Sequence, residues 1–214
     1  MDDIIFRHLK PKELLVSVND VKEKILASAL ELFSMKGYTA TSIDEIAASA
    51  GMKGPNIYKY FKGKRAIFDE LSSIMEDKYR EGMRLRPVFE KMVNSKEDLK
   101  SFSMRQIQYT LSDRTIRKFR KVCTIEQFRD DLLKSQTNKY QFHNIHDQYT
   151  GIFAALIKKG LLPEQDPEMI ALEYFAPVSL LIQMCDREPS REQEVVEKCE
   201  RFIDYFIENK FPNN

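Results

Sequence analysis

Glycine and proline are scarce in this sequence, which has 7 glycines and 8 prolines among 214 residues. The alternation of apolar and polar residues that is typical of strands is also weak. Apolar residues recur instead at helical spacing, as in Val21, Ile25, Ala29 and Leu32. These patterns exclude a β-rich fold and predict an all-α protein of about nine helices joined by short loops.

Cysteines and long apolar runs are few as well. Cys123, Cys185 and Cys199 lie far apart without a CxxC pair, which excludes a disulfide scaffold and favours reduced thiols in a cytoplasmic core. The longest apolar run, Met169 to Cys185, is shorter than the roughly 20 residues that span a bilayer. The first residues contain no apolar stretch typical of a signal peptide. We therefore expect a cytoplasmic protein that does not contact membranes.

Common catalytic motifs are missing. The sequence contains no GxSxG, no Walker A phosphate loop, no GxGxxG after a strand and no HExxH. We therefore expect no enzymatic activity, no catalytic residue and no cofactor.

The formal net charge of +1 conceals a local excess of basic residues. Between Ile46 and Ala66 there is no acidic residue, and the basic residues are Lys53, Lys59, Lys62, Lys64 and Arg65. A lysine cluster alone is most often a solvated helix face. Here it coincides with helix and turn signals, and the combination indicates a DNA-binding surface.

The same stretch carries the signals of two short helices and a tight turn. Ser42-Ile43-Asp44-Glu45 fits a capping box that begins a helix over residues 43–50. Gly51 fits a sharp turn because such turns need a positive φ. Gly54-Pro55 begins a second helix that is predicted to end near Phe61. The pattern predicts a helix-turn-helix.

The second helix of this pair has an apolar ridge and a polar face. Ile57 and Phe61 form the ridge, because they are one helical turn apart. Asn56, Tyr58, Lys59 and Tyr60 are thereby left for solvent or a partner. Polar side chains on such a helix can reach base edges in the major groove of DNA.

Four segments within residues 21–71 together carry a family pattern. They are Ile25-Leu26-x-x-Ala29-Leu30-x-Leu32-Phe33, Gly37-Tyr38-x-x-Thr41-Ser42, Ile46-Ala47-x-x-Ala50-Gly51-Met52 and Ile57-Tyr58-x-Tyr60-Phe61-x-x-Lys64. In order and spacing they resemble the DNA-binding domain of the tetracycline-repressor (TetR) family. The rest of the chain resembles the family only in its helical character and its length.

The resemblance implies DNA contacts in three groups. Phosphate contacts are implied for Thr41, Ser42 and Lys64, and the turn and helix start correspond to Lys53, Gly54, Pro55 and Asn56. The later recognition positions are Tyr58, Lys59 and Tyr60. Because Gly54 has no side chain, we expect base selection to rest on Asn56, Lys59 and Tyr60.

The resemblance also implies a domain layout. Residues 1–19 form an N-terminal extension, residues 20–71 the helix-turn-helix domain, and residues 72–214 a helical domain for effector binding and dimerisation. The last two predicted helices carry broad apolar faces, and we expect them to form a homodimer through a four-helix bundle. The alternative is that both are central core helices of one chain.

A small-molecule effector is expected among the aromatic residues of the middle helices. The candidates are Phe102, Tyr109, Phe119, Cys123, Phe128, Phe142, His143, His146, Tyr149, Phe153 and Tyr174. An aromatic stripe at helical spacing is more often core than a ligand site. His143 and His146 share a helix face, but without a third ligand at a known spacing we expect no metal site.

The expected function is a sequence-specific DNA-binding transcriptional regulator, a repressor that a small molecule releases from its double-stranded DNA operator. The helix that begins at Lys64 is the expected lever between the domains. One alternative is a helical small-molecule- or partner-binding protein of the same fold that binds no operator. A DNA-organising protein that needs no effector is another.

Overall fold

A computed structural model describes residues 20–84 and 91–212 of the chain. Within these ranges the regular elements are α-helices with one 3₁₀ and one π segment, and no β-strand occurs. The all-α prediction is therefore confirmed. The predicted extension over residues 1–19 lies outside the described residues.

Within residues 20–84 and 96–210 the helices follow one another with short connections. Their bounds are α1 Asp20–Lys36, α2 Ile43–Ser49, α3 Gly54–Ile57, α4 Lys64–Arg84, α5 Lys96–Ser112, α6 Arg114–Glu126, α7 Asp131–Asn138, α8 Asn144–Lys158, α9 Pro167–Arg187 and α10 Glu192–Lys210. A π segment, Lys139–His143, joins α7 to α8, and a 3₁₀ turn, Pro189–Arg191, precedes α10.

The described residues form two compact units. The first contains the residues up to Arg80 together with Asp113–Lys134, and the second contains Glu81–Ser112 and the residues from Ser135 onward. The chain passes from one unit to the other within α4, between α5 and α6, and within α7. Contacts group α6 with the helix-turn-helix. The predicted division at residue 72 stays a prediction.

A break separates α6 from α7. α6 ends at Glu126, and α7 begins at Asp131. Asp130 Oδ1 accepts hydrogen bonds from the backbone N–H groups of Leu132 and Leu133, at 3.0 and 3.1 Å. This carboxylate caps α7 and makes it a separate helix.

The start of α10 has no side-chain cap. Its N-cap residue is Arg191, although Ser190-Arg191-Glu192-Gln193 has the residue types of a capping box. The 3₁₀ turn that begins at Pro189 moves the helix start to Glu192. Arg191 instead donates hydrogen bonds to Glu194, at 2.8 and 2.9 Å.

An aromatic cluster forms the core of the first unit. Tyr38 packs edge-to-face on Phe33 and Phe68, with each pair of ring centroids 5.2 Å apart. Phe119 of α6 stacks on Phe68 at 6.0 Å. Helix α6 therefore contributes to the core that supports the helix-turn-helix.

A second aromatic cluster fills the second unit, where α8, α9 and α10 pack together. Tyr174 lies 4.6 Å from Phe206 and 5.0 Å from Tyr149, measured between ring centroids. All three cysteines of the chain are buried, and no disulfide is found in residues 20–84 and 91–212.

Helix α9 is apolar along most of its length. In the described part of the chain it alone is long and apolar enough to cross a membrane, on length and composition only. A core helix of a soluble protein passes the same test. Five residues of α9 are buried against the second unit, including Ile170, Tyr174 and Phe175.

Candidate nucleic-acid interface

The predicted capping box at the start of α2 is present. The Ser42 hydroxyl accepts a hydrogen bond from the Glu45 N–H at 3.2 Å, and Glu45 Oε2 accepts one from the Ser42 N–H at 2.8 Å. Glu45 Oε1 also pairs with the Lys36 ammonium at the end of α1. The beginning of α2 is therefore fixed both to itself and to α1.

The turn after α2 closes with two backbone hydrogen bonds. The Met52 N–H donates to the Ala47 carbonyl at 2.9 Å, and the Gly51 N–H donates to the Ala48 carbonyl at 3.0 Å. Gly51 has a φ of +74°, as the sequence predicted. This pattern is a Schellman motif, and it sets the direction in which the chain leaves α2.

The second helix of the pair is shorter than predicted. α3 ends at Ile57, and the chain continues in tight turns in which the Tyr60 N–H donates to the Ile57 carbonyl at 3.0 Å. The prediction of a helix up to Phe61 was wrong in this respect, because three-residue hydrogen bonds at Lys59 and Tyr60 are followed by only one four-residue bond, from the Phe61 N–H to the Ile57 carbonyl at 3.0 Å. Ile57 and Phe61 are nevertheless buried, so the predicted apolar ridge holds.

Gly54 has a packing role that the sequence did not reveal. A Cβ atom at this position would lie 2.2 Å from Asp44 Oδ1 of α2. Any other residue would have to displace that carboxylate. The close approach of α2 and α3 therefore admits a Cβ at this position only if the Asp44 side chain rotates away.

The polar side chains around α3 point to solvent. We call Lys53, Asn56, Tyr58, Lys59 and Tyr60 the recognition surface, and all five are exposed. The tyrosines are 57% and 42% exposed, which is high for aromatic residues and shows that the ridge, not they, holds the core. Pro55 is exposed beside them.

The Lys64 ammonium group makes its hydrogen bonds within the protein. Its Nζ donates to the carbonyl oxygens of Tyr38 and Thr41 at 2.7 Å and of Thr39 at 3.2 Å. It also lies 4.5 Å from the centre of the Tyr38 ring. Burial lowers the pKa of Lys64 below its usual value. This lysine fixes the loop between α1 and α2.

The two hydroxyls predicted to contact phosphate are also used internally. Thr41 is buried, and its hydroxyl donates to the Gly37 carbonyl at 2.8 Å. Ser42 is exposed, but its hydroxyl takes part in the capping box. Thr41, Ser42 and Lys64 thus shape the loop that precedes α2.

Glu126, at the end of α6, is a functional candidate that the sequence gave no reason to select. It is fully buried, and its two carboxylate oxygens accept hydrogen bonds from the Thr39 N–H at 3.1 Å and the Thr39 hydroxyl at 2.9 Å. A Cβ on residue 37 would overlap Glu126 Oε1, which explains why Gly37 occupies that position. Glu126 therefore links α6 to the same loop that Lys64 holds.

The second unit contains the cavity where an effector was expected. It measures about 90 Å³ and is lined by residues of α5, α8, α9 and α10. Tyr149 and Tyr174 are the two predicted ligand residues that line it. The remaining lining includes Ser103, Gln106 and Gln148, which the aromatic pattern could not indicate.

The other predicted ligand residues lie elsewhere. Phe119 and Cys123 are buried in α6 in the first unit, and Phe128 is 90% exposed in the turn after α6. Phe102 and Phe153 are buried in the core of the second unit. Tyr109, in α5, and His143, in the π segment, are outside the cavity lining.

Phe142 and His146 form a small aromatic cluster of their own. Their rings stack with centroids 5.7 Å apart, and both contact Phe175 edge-on. His146 Nε2 lies 3.1 Å from the Glu168 carbonyl oxygen. In residues 20–84 and 91–212, no group of three His, Cys, Asp or Glu side chains could hold a metal ion.

Comparison with known proteins gives a family match and two curated relatives that cover parts of the chain. Residues 25–71 match the family model described as bacterial regulatory proteins, tetR family. The chain is 40% identical over 50 residues to the biofilm operon icaADBC HTH-type negative transcriptional regulator IcaR of Staphylococcus aureus, which is 23% of this chain and 27% of IcaR. It is 39% identical over 82 residues to the uncharacterized HTH-type transcriptional regulator YerO of Bacillus subtilis, 38% of this chain and 25% of YerO.

Solved structures match over nearly the whole chain. A putative TetR-family transcriptional regulator from Mesorhizobium loti has a TM-score of 0.64 at 20% identity, covering 90% of this chain and 97% of the other. A second match is SmeT, the repressor of the Stenotrophomonas maltophilia multidrug efflux pump SmeDEF. The structure of the SmeT–triclosan complex has a TM-score of 0.69 at 18% identity, covering 91% of this chain and 93% of the other. At these identities the likeness shows a shared fold.

The matches agree on the helix-turn-helix and on the fold. The chain spans only about a quarter of the length of the curated relatives, 27% of IcaR and 25% of YerO. The family-model match contains Gly51, Gly54 and the whole recognition surface. The chain is thus similar to the TetR family of bacterial regulatory proteins, through the family model over residues 25–71 and through a shared fold over 90% of its length.

Proposed function

We propose that this chain is a sequence-specific DNA-binding transcriptional repressor that works in the cytoplasm as a homodimer. The observation that carries the proposal is the recognition surface, which is exposed above the buried ridge of Ile57 and Phe61. No acidic residue occurs between Ile46 and Ala66 to oppose its basic side chains. Such a surface suits the phosphates and base edges of a major groove.

The side chains of the recognition surface have different roles in this proposal. The Asn56 amide suits adenine and the Lys59 ammonium suits guanine, so these two residues and Tyr60 select bases. Lys53, together with the exposed Lys62, contacts phosphates. Thr41, Ser42 and Lys64 act indirectly, because they hold the loop that positions α2.

A homodimer forms through α9 and α10 in this proposal. Met169 and Leu180 of α9 are 60% and 63% exposed, and Tyr205 of α10 is 64% exposed. Large apolar side chains left in solvent on neighbouring helices favour a partner surface. A second copy offers the same surface, as a twofold dimer requires.

The relatives support repression and a small-molecule signal. IcaR is named as a negative regulator, and SmeT is a repressor whose structure is known with triclosan. We infer that a small molecule in the second unit lowers the DNA affinity of this chain. In this proposal the signal travels along α4, which begins in the first unit and ends in the second. It also acts through α6, whose Glu126 contacts the α1–α2 loop.

A mobility-shift experiment on the DNA upstream of the chain's own gene tests this function. The expected result is a complex that survives an excess of unrelated competitor DNA. Asn56→Ala and Lys59→Ala should each weaken it by about 1–3 kcal/mol, or roughly 5- to 150-fold. Lys158→Ala, which changes an exposed lysine of the second unit, is the matched control and should leave binding unchanged.

The opposite outcome would favour the alternative function. If wild-type protein bound upstream DNA and competitor DNA equally, the chain would not read an operator. If that protein nevertheless bound small molecules, it would be a helical small-molecule-binding protein of the same fold.

A further inference from the structure

The cavity of the second unit contains no charged group in its lining. Thirteen residues line it, and all of them are apolar, hydroxyl-bearing or amide-bearing. Ile107, Val178 and Ile182 supply apolar surface, and Phe175 supplies an aromatic face. An ion entering this space would lose its hydration without gaining a counter-charge.

Three hydroxyl groups meet at the cavity and leave one hydrogen without an acceptor. Tyr149 Oη and Tyr174 Oη lie 3.2 and 2.8 Å from Ser103 Oγ, and all three side chains are at least nine-tenths buried. Three hydroxyls carry three hydrogens, and these two hydrogen bonds use two of them. A buried donor without an acceptor is unfavourable, so the third hydrogen calls for an acceptor atom in the cavity.

Ser103 does not satisfy this hydrogen within its own helix. Ser34 and Thr124 show the common local solution, since their hydroxyls donate to carbonyls three and four residues earlier. The Ser103 hydroxyl makes no such bond to a described residue. Its hydrogen-bond partners are the hydroxyls of Tyr149 and Tyr174. The three hydroxyls of Ser103, Tyr149 and Tyr174, which we call the hydroxyl trio, therefore share one hydrogen that has no acceptor.

The trio remains protonated at physiological pH. Burial raises the pKa of Tyr149 to about 12, and burial also raises the pKa of Tyr174 well above its usual value. Neither phenol becomes an anion that could accept the spare hydrogen. The cavity thus presents a permanent donor.

Two amide side chains add to this neutral polar lining. Gln106 of α5 and Gln148 of α8 line the same cavity and are half-buried. Neither amide makes a hydrogen bond to another described residue. Each can both donate and accept, so they suit polar groups of an uncharged molecule.

We propose that this cavity binds a small uncharged molecule whose carbonyl or ether oxygen accepts a hydrogen bond from the trio of Ser103, Tyr149 and Tyr174. Its apolar body lies against Phe175 and the aliphatic lining, and carboxylates and amines are excluded. The binding preference follows from the cavity alone. Its role as the signal for DNA release rests on the proposed function.

The size of the cavity restricts the ligand further. At about 90 Å³ it is smaller than the roughly 150 Å³ engineered cavity that holds benzene. A substituted single-ring compound is therefore the largest simple probe worth testing, and it requires the walls to move outward. Helix α9 contains Pro177 beside the lining residue Val178, so one backbone hydrogen bond is already missing at this wall.

A matched series of ring compounds tests the proposal by calorimetry on the full chain. Acetophenone has a carbonyl acceptor, ethylbenzene has nearly the same shape without one, and benzoate and benzylammonium are charged. We expect acetophenone to bind about tenfold more tightly than ethylbenzene, in line with one hydrogen bond. Benzoate and benzylammonium should not bind at millimolar concentration.

A triple variant isolates the hydroxyl trio. Ser103→Ala, Tyr149→Phe and Tyr174→Phe together remove all three hydroxyls and leave no tyrosine hydroxyl without its partner, so the core keeps its shape. The preference for acetophenone over ethylbenzene should disappear in this variant. Ser112→Ala, at the end of the same helix α5, is the control and should keep the preference.

The outcomes separate this inference from the proposed function. Equal binding of acetophenone and ethylbenzene to the wild type, binding of benzoate or benzylammonium, or no binding in the whole series would overturn the ligand class. A mobility shift without any compound tests DNA binding separately. Tight acetophenone binding in a protein that binds no operator would refute the repressor and uphold the ligand class.

Discussion

Lys64 shows how a residue in the DNA-binding domain can act without facing DNA. Its ammonium group donates to three backbone carbonyls, those of Tyr38, Thr39 and Thr41, and is partly shielded from water. Lys62, two residues earlier, is exposed. Substitutions at Lys64 and Lys62 therefore distinguish the loss of these carbonyl contacts from the loss of a positive charge.

Replacing Lys64 should destabilise the fold. We expect Lys64→Met to lower the free energy of unfolding by about 1–2 kcal/mol, because carbonyls of the α1–α2 loop lose a charged donor. Lys62→Met removes the same charge and should change it by less than about 0.5 kcal/mol. Urea denaturation of both variants measures the difference. Equal losses would show that the carbonyl contacts do not hold the loop.

The Glu45 carboxylate makes the start of α2 sensitive to acid. Hydrogen bonds from Lys36 and Ser42 lower its pKa from 4.5 to about 2. A carboxylate with a depressed pKa stabilises the fold above its unfolded-state pKa, and this contribution disappears as the pH falls through the folded-state value. The relevant window therefore runs from pH 4.5 down to about 2.

Thermal unfolding of Glu45→Gln against the wild type tests this window. The melting temperature of the wild type should exceed that of the variant by a constant amount at neutral pH. Below pH 4.5 the difference should shrink and vanish near pH 2. In a Lys36→Met background the effect of Glu45→Gln should be smaller, since Lys36 is the first cause of the shift. A difference that stays constant down to pH 2 would contradict the assignment.

At the scale of elements, the turn between α2 and α3 decides the direction of the recognition surface. Gly51 has a φ of +74°, and Gly160, after α8, has a φ of +72°. A Cβ at either position would meet no atom within 4 Å, so backbone strain is the common effect of adding one. The two glycines differ in location, and only Gly51 lies in the helix-turn-helix.

Alanine substitutions at these glycines should have equal effects on stability and different effects on DNA. We expect Gly51→Ala and Gly160→Ala each to lower the free energy of unfolding by about 1–2 kcal/mol. Only Gly51→Ala should also weaken operator binding, because the turn orients α3. Fluorescence anisotropy with labelled DNA gives the affinities. The same loss of affinity in both variants would argue against a specific role of the turn.

Helix α9 carries the proposed dimer contact. Leu180 is 63% exposed on this helix, and Phe128, in the first unit, is 90% exposed. Leu180→Glu should convert a dimer into monomers, because a carboxylate would be buried in an apolar interface. Phe128→Glu should leave the dimer intact. Light scattering after gel filtration reports both masses, and a dimeric Leu180→Glu variant would refute this interface.

Features with local causes could be predicted from the sequence. The capping box at Ser42 and the turn at Gly51 involve residues at most five apart, so their signals lie within one short stretch. The contact of Glu126 with Thr39 joins residues 87 apart, and nothing near either residue indicates the other. Gly54 is a further case, because its carboxylate neighbour Asp44 comes from the preceding helix.

The ligand site was harder to predict than the DNA-binding domain. Aromatic residues at helical spacing mark buried positions, and most of the predicted ones fill cores, as Phe119 and Phe153 do. Which of them border a cavity depends on how helices distant in sequence pack together. The polar lining at Ser103, Gln106 and Gln148 has no sequence signature at all.

At the scale of the whole molecule, three passages of the chain connect the two units. Helix α4 begins with Lys64 at the α1–α2 loop, and α6 ends with Glu126 at the same loop. A displacement of either helix would therefore act on the residues that precede α2. We propose this loop as the place where a ligand signal acts on the recognition surface.

The salt dependence of DNA binding tests the central claim most directly. In a complex of the dimer with DNA, each protomer would bring four exposed basic side chains to phosphates or to the edges of nucleobases. They are Lys53, Lys59, Lys62 and Arg65. With about six to eight phosphate contacts, a plot of log affinity against log salt on the upstream duplex should have a slope of roughly −5 to −7. Affinity independent of salt, with no preference over unrelated DNA, would contradict the account.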